Sequence, residues 1–369
     1  MSNKNFQTFF DCSLSKVRAG TSNKDNPNQT YYAESEFFAN HSDLDLEIKK
    51  IVTSFEKDTN EYIDIVNLML DSQKMLSIGI SISKKLDGFK LKQSNVKFLI
   101  QETKQQILKY YTSYNITHII INNYKIDGVD YLHLPDEIEC HFISLDILFI
   151  CLPKDMVLYF KDIFSKSNIL VDQIICSSYA KSINYKNSLN LSGHVIFIDV
   201  GFDKTSIISY FSDKILSLDV VSIGGNHITK DISKVLKINL EEAENLKINF
   251  AKNEAFLDNK DFSLELLQKI IFARVEEILE ICVESIKLKS TTAPHFKMIL
   301  MGGGSKVLDN QDMDKISFAN DIDLLKETTE DICQSGFKLA MGSNKQEVLI
   351  VPKKLIKQGF FEKLFHFFK

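Results

Sequence analysis

At 369 residues, with 44% hydrophobic and 25% charged side chains, the chain exceeds one compact core and suits two lobes, which excludes wholesale disorder and a multi-span membrane protein. A formal net charge of -5 leaves no basic surplus, so no nucleic-acid partner is expected. The six cysteines lack a C-x-x-C pair and read as free thiols of a reducing compartment rather than zinc ligands or a disulfide framework.

The first residues lack a basic segment followed by an apolar one, and no apolar run is long enough to cross a bilayer, so a cytoplasmic chain is expected. FFDCSLSKV reads as strand, tight polar turn and strand, and 21–30 as a loop. Ile48, Ile51, Val52, Phe55, Tyr62, Ile63, Val66 and Met69 trace a helical stripe over 44–70, with a break near 58–60. From Met75 a small α+β unit follows: MLSIGISIS alternates as a strand, LIQETKQQILKYYTSY is helical, and THIIINNYKIDGVDYLHL is strand and turn. A buried strand over 145–153, a helix over 156–165 and NILVDQIICSSYAKSI, a strand entering a helix, resume βα alternation. The stretch 194–231 predicts three strands, a Gly-Gly turn and a helix. Helices over 241–289, the strand and glycine turn of FKMILMGGGSKV, and a last helix in IDLLKETTEDICQSGFKLAMG complete the pattern.

Two turns share one design, an apolar strand ending in Asp, a small-residue turn and another apolar strand: FFDCSLSKV and FIDVGFDKTSI. Such hairpins can turn backbone N–H groups toward phosphate oxygens, while Asp11 and Asp199 can orient a hydrated magnesium ion; either hairpin alone is also compatible with an ordinary acidic turn. Gly302, Gly303 and Gly304 follow the strand MILM, where absent side chains admit close approach of an adenine ring. Glu244 and Lys247 lie three apart on one helix, suited to a ribose or to a solvated ion pair.

After the linker QEVLIVPKK, the chain ends LIKQGFFEKLFHFFK. Phe360, Phe361, Leu364, Phe365 and Phe368 fall on one helical face, and Glu362, Lys363, His366 and Lys369 on the other. Five lysines against one glutamate over 353–369 favour an anionic lipid surface, each interfacial lysine contributing about 1 kcal/mol and each buried Phe about 1.5–3 kcal/mol. Docking of these phenylalanines into the protein's own core is the alternative.

HVIFIDVG, TSIISYFSDKILSLDVVSIGGNHITKDISKVL, EEAENLK, ARVEEILE and ILMGGGS resemble, in order and approximate spacing, the bacterial FtsA cell-division family, and 118–155 resembles the end of that family's inserted 1C subdomain. The resemblance implies an α/β actin-like ATPase fold of the actin/Hsp70 superfamily: two lobes with duplicated RNase H-like cores and a small α+β, SHS2-type 1C subdomain in the first lobe. Subdomain 1A is expected over 1–72, 146–193 and 326–346, 1C over 73–145, 2A over 194–231 and 296–325, 2B over 232–295, and the linker with its membrane-targeting helix over 347–369. ATP with magnesium is the implied cofactor. Asp11, Ser13, Leu14, Ser15 and Lys16 match the first phosphate loop; Asp199, Gly201, Lys204 and Thr205 match the second. Gly225 matches the turn before the next helix, Glu244 and Lys247 the ribose pair, and Gly302 to Gly304 the adenosine turn. Implied partners are the FtsZ C-terminal peptide at 2B, further copies of the chain in filaments, later division proteins at 1C, and anionic lipids on the cytoplasmic face of the inner membrane at the division site.

Departures accompany the likeness. Ser13 and Leu14 stand where the family has Gly and Thr, and Phe202, Asp203 and Lys204 where it has successive glycines. Asp203 brings negative charge toward phosphates unless Lys204 or magnesium offsets it, so weak or absent ATP hydrolysis is expected. A PilM-like pilus assembly protein, a small-molecule kinase or chaperone ATPase on the same scaffold, and a nucleotide-free scaffold are the competing readings.

Overall fold

The computed structural model describes residues 5–36, 44–135, 138–252, 263–287, 296–308, 322–342 and 347; the C-terminal helix expected over 353–369, with Phe360, Phe361, Lys363, Leu364, Phe365, Phe368 and Lys369, lies outside them. β1 (Phe6–Cys12) and β2 (Lys16–Asn23) form the expected hairpin, its register setting Asp11 opposite Arg18. β2 runs on through the expected loop to Asn23, because Thr21 and Ser22 pair with β3 (Thr30–Glu36). α1 (Leu44–Thr59) buries Leu44, Ile48, Ile51, Val52 and Phe55, one face at helical spacing. It ends at Asn60, whose φ of 54° leaves the helical region. The helix expected to continue to residue 70 is instead β4 (Ile65–Leu70), parallel to β1. Five of its six residues are buried, as for an interior parallel strand covered on both faces, whose continuous apolar run carries no period to separate strand from helix.

A second unit follows. β5 (Leu76–Lys85), α2 (Gln93–Tyr110), β6 (Tyr114–Ile126), β7 (Val129–Tyr131) and β8 (Phe142–Pro153) build a four-stranded sheet in the order β5-β8-β6-β7. β8 runs unbroken across the boundary expected at 145, because its residues pair with β5 and β6 along its whole length. α3 (Lys154–Ser165) returns the chain to β9 (Leu170–Cys176), which joins β4 in parallel and runs directly into α4 (Ser177–Ser188).

The next segment repeats the opening plan. β10 (His194–Val200), β11 (Thr205–Phe211) and β12 (Lys214–Val221) are antiparallel neighbours. α5 (Gly225–Leu236), α6 (Leu240–Lys252) and α7 (Leu264–Lys287) lead to β13 (Lys297–Met301), parallel to β10. Ile322 and Leu324, expected in a helix, belong to β14 (Ile322–Leu324), parallel to β13. α8 (Thr329–Ala340) starts only at Thr328, whose hydroxyl accepts from the Asp331 N–H at 3.1 Å in a capping box. The sheets β3-β2-β1-β4-β9 and β12-β11-β10-β13-β14 share one strand order, so the core is duplicated. Each pairs an antiparallel hairpin meander with two parallel additions. One apolar cluster is shared by the two sheets, taking Phe9 and Leu68 from the first and Phe197 and Met301 from the second; another packs the other face of the second sheet against α5–α7, and a third lies under the inserted sheet.

Candidate functional site

The parallel strands aim their carboxyl ends at one place, the crevice where open α/β sheets bind ligands. Asp11 is next to last in β1, Asp71 follows β4, Ser177 follows β9, Asp199 is next to last in β10 and Gly302 follows β13. Ser177 Oγ donates to Asp11 at 2.7 Å and Arg18 Nη1 donates to the other Asp11 oxygen at 3.1 Å. From α4, Lys181 Nζ reaches Asp199 at 2.8 Å and Glu327 at 3.2 Å, and Glu327 also accepts from the Gly302 N–H at 2.8 Å. Lys204 pairs with Asp71 at 3.1 Å, and Gln73 donates to the Asp203 carbonyl at 2.8 Å. The turns headed by Asp11, Asp199 and Gly302, remote in sequence, therefore meet where the two duplicated sheets face each other.

Burial sets the charge states. It disfavours the Lys181 ammonium, but Asp199 and Glu327 more than offset it and hold its pKa above the ordinary lysine value. Asp199, pushed up by burial, is held below the usual carboxylate range by Lys181 and Lys204 together. Burial dominates at Glu327 and raises its carboxyl. Lys204 is disfavoured by burial and raised on balance by Asp71 and Asp199. Asp203 is raised by burial, with Lys204 offsetting part of that.

The structure sorts the remaining expected residues. In the first loop, Ser13 Oγ donates to the Lys16 carbonyl at 2.8 Å and accepts from the Lys16 N–H at 3.1 Å, closing its own turn; Leu14 is exposed. The Lys16 ammonium is held by Glu34 at 3.4 Å and by Glu36 on β3, and so does not join the junction. Thr205 spends its hydroxyl on the Ile223 carbonyl at 2.7 Å. The Gly201 N–H donates to Lys204, and the Gly201 carbonyl accepts from the Gly225 N–H at 2.9 Å. A Cβ on Gly225 would meet the Gly304 backbone at 3.2 Å, and one on Gly304 would collide with Val200; the glycines thus let the α5 turn and the 302–304 turn nest against the end of β10. On Gly303 a Cβ would meet nothing within 4 Å. Glu244 and Lys247 are not a solvated pair: Lys247 is 7% exposed, bonds Glu244 at 2.6 Å and Thr229 at 2.8 Å, and donates to the Gly225 carbonyl at 3.2 Å. Burial lowers its pKa, with Glu244 opposing.

Sequence reasoning missed Arg18, Asp71, Gln73, Ser177, Lys181 and Glu327. Two signals were available. The tight turn after Cys12 fixes a register with Arg18 across from Asp11, and Arg18 is one of only two arginines among 44 basic residues. Asp71 closes an apolar strand as Asp11 and Asp199 do. Lys181 and Glu327 carry no local pattern.

Half-buried Arg18 and buried Lys181 and Lys204 bring positive charge to the junction, each paired with a carboxylate, and the flank of Gly303 is open. The junction does not fit the expected magnesium site, since Asp11 and Asp199 are each already paired with a cation of the chain. Among the described residues no group of three or more His, Cys, Asp or Glu is placed to hold a metal ion.

A family model described as Cell division protein FtsA matches residues 196–293. The cell division protein FtsA of Agrobacterium fabrum is 21% identical over 280 residues, covering 70% of this chain and 62% of its own length. That of Bacillus subtilis is 34% identical over 133 residues, 32% of this chain and 30% of its own. The chain thus spans 62% of the length of the first of these relatives. Among solved structures, a PilM-PilN type IV pilus biogenesis complex matches with a TM-score of 0.61 at 12% identity, over 88% of this chain and 89% of that one. The ethanolamine utilization protein EutJ from Carboxydothermus hydrogenoformans matches with a TM-score of 0.52 at 10% identity, over 90% and 89%. With the duplicated sheets, these likenesses identify the actin-like ATPase fold.

Proposed function

We propose that this chain, a relative of the cell-division protein FtsA on an actin-like fold, is a nucleotide-binding adaptor of bacterial cell division that polymerises and tethers FtsZ filaments to the inner membrane. One observation carries the reading: the Asp11, Asp199 and Gly302 turns meet around buried cations at the strand ends of an actin-like fold. The stretch matching the FtsA family, 196–293, includes the second of these turns.

In this reading ATP lies between the lobes. Leu14 and Ser15 in the first loop and residues 202–204 in the second direct backbone N–H groups to the phosphates, with Lys181, Lys204 and Arg18 supplying positive charge. Glu244 and Lys247 sit on the ribose side, and Gly303 opens space beside the base. Ser13 and Leu14, in place of Gly and Thr, make turnover slow or absent, so the nucleotide acts as a clamp and polymerisation switch. α6 and α7 receive the FtsZ C-terminal peptide, and the inserted unit β5–β8 recruits later division proteins. Residues 353–369 anchor the chain peripherally on anionic lipid at the cytoplasmic face, weakly as a monomer and firmly as a polymer through avidity.

Fold likeness favours a PilM-like role, but at 12% identity it concerns architecture alone, whereas the curated sequence relatives are FtsA. Flotation on anionic vesicles separates the two. The full chain should carry added FtsZ into the vesicle fraction, and a chain ending at residue 352 should leave both behind. Equal flotation of both chains would defeat the anchoring, and vesicle-bound chain without FtsZ would defeat the tethering.

A further inference from the structure

α4 is buried from Ser177 through Lys186, so a lysine placed there must find a partner or cost the fold heavily. Lys181, at 6% exposure, finds two, and they come from different parts of the chain. Asp199 belongs to the strand end of the second sheet, and Glu327 lies between β14 and α8, where it also holds the Gly302 N–H. One ammonium thereby ties α4 of the first lobe to Asp199 and, through Glu327, to Gly302. Arg18 holds Asp11 in the same manner, and Lys204 holds Asp71. The junction carries three cations against four carboxyls, Asp11, Asp71, Asp199 and Glu327, which leaves little net negative charge to attract a divalent ion. A cation brought to Asp199 would also meet the Lys181 ammonium already seated there.

We infer that Lys181 is the resident cation of this junction, standing in the position of a divalent metal, so that the chain binds nucleotide polyphosphate without magnesium. The inference rests on the nucleotide-binding reading and adds its ion requirement. Lys181 is a binding and positioning residue: its ammonium neutralises phosphate charge while fixing the two lobes against each other.

The test is titration of the full chain with a fluorescent ATP analogue, once in EDTA and once in excess magnesium. The wild type should bind with dissociation constants equal within about twofold in the two conditions. Lys181→Met alone strands two buried carboxyls and is prone to unfold, so the decisive variant is Lys181→Met with Glu327→Gln, which removes one charge of each sign. Its binding in EDTA should weaken about tenfold or more relative to its binding in magnesium. A wild type whose affinity falls about tenfold in EDTA overturns the inference and leaves nucleotide binding intact. A double variant as indifferent to magnesium as the wild type overturns it as well. Absence of binding in both conditions overturns the nucleotide reading, and this inference with it.

Discussion

Asp199 takes its charge state from a contest between burial and two ammonium groups, and the sign of that contest is measurable. Its folded pKa is lowered, with Lys181 and Lys204 outweighing burial. Its contribution to stability is therefore complete above the unfolded carboxylate value of about 4 and is lost as pH falls through the folded value. Asp199→Asn should be less stable than the wild type at neutral pH, and the gap should close below about pH 4, read from urea midpoints. Glu327 behaves oppositely: its raised pKa gives stability that is complete below its unfolded value and lost as pH rises. Glycines of the 302–304 turn separate fold from ligand. Gly302 has φ of 97°, and a Cβ there would strike the Asp199 carboxylate and the Val200 carbonyl, so Gly302→Ala should cost about 2 kcal/mol or more of stability. Gly303→Ala should stay within about 0.5 kcal/mol in denaturation while weakening binding of the fluorescent nucleotide.

At the level of elements, α8 depends on its first turn. The Thr328 hydroxyl donates to the Asp331 carboxylate at 2.6 Å and accepts from its N–H at 3.1 Å. Thr328→Ala should cost about 1 kcal/mol, measured by chemical denaturation. The consequence reaches the junction, because Glu327 immediately precedes this cap. The elements whose type was misread in the sequence are both short. Ile65–Leu70 and Ile322–Leu324 are strands added in parallel to β1 and β13. The first is an interior strand with five of six residues buried and so shows no exposure alternation; the second alternates Ile, Asp, Leu at the sheet edge but over three residues is too short to establish a period. Strands with one face open, such as β5 with its alternating exposure, were legible at once.

Across the whole molecule, all six cysteines are free and buried, though they come from all three apolar clusters. Burial pushes the Cys151 and Cys282 thiols up to about 12, and with neighbouring carboxylates raises Cys12 and Cys176 well above the ordinary value. Since the thiolate is the nucleophile, a thiol reagent should label fewer than about one cysteine per folded chain over minutes, and all six after denaturation. Early labelling of Cys282 alone would mean that the α5–α7 layer opens separately from the rest. The lobes are joined by polar contacts as well as by packing: the Lys181–Asp199 and Lys204–Asp71 ion pairs and the Gln73–Asp203 hydrogen bond all cross between the duplicated units, and burial of the two ion pairs leaves them little screened by salt.

The amino-acid sequence by itself determined the local forms: the hairpin ending at Asp11, its counterpart at Asp199, the glycine turn after MILM and the helical stripes of α1 and α5, because turn chemistry and side-chain period act over a few residues. It also placed Asp11, Asp199, Gly225 and Gly302–304 among the residues that meet. Only the tertiary structure decided the partners of the charges. Lys181 reaches Glu327 across 146 positions, and Lys204 reaches Asp71 across 133, while Lys16, expected at the phosphates, is taken by Glu34 and Glu36. A residue's period tells which face is buried, never what lies opposite, and an ionic partner is whatever group the convergence of strand ends brings within about 4 Å.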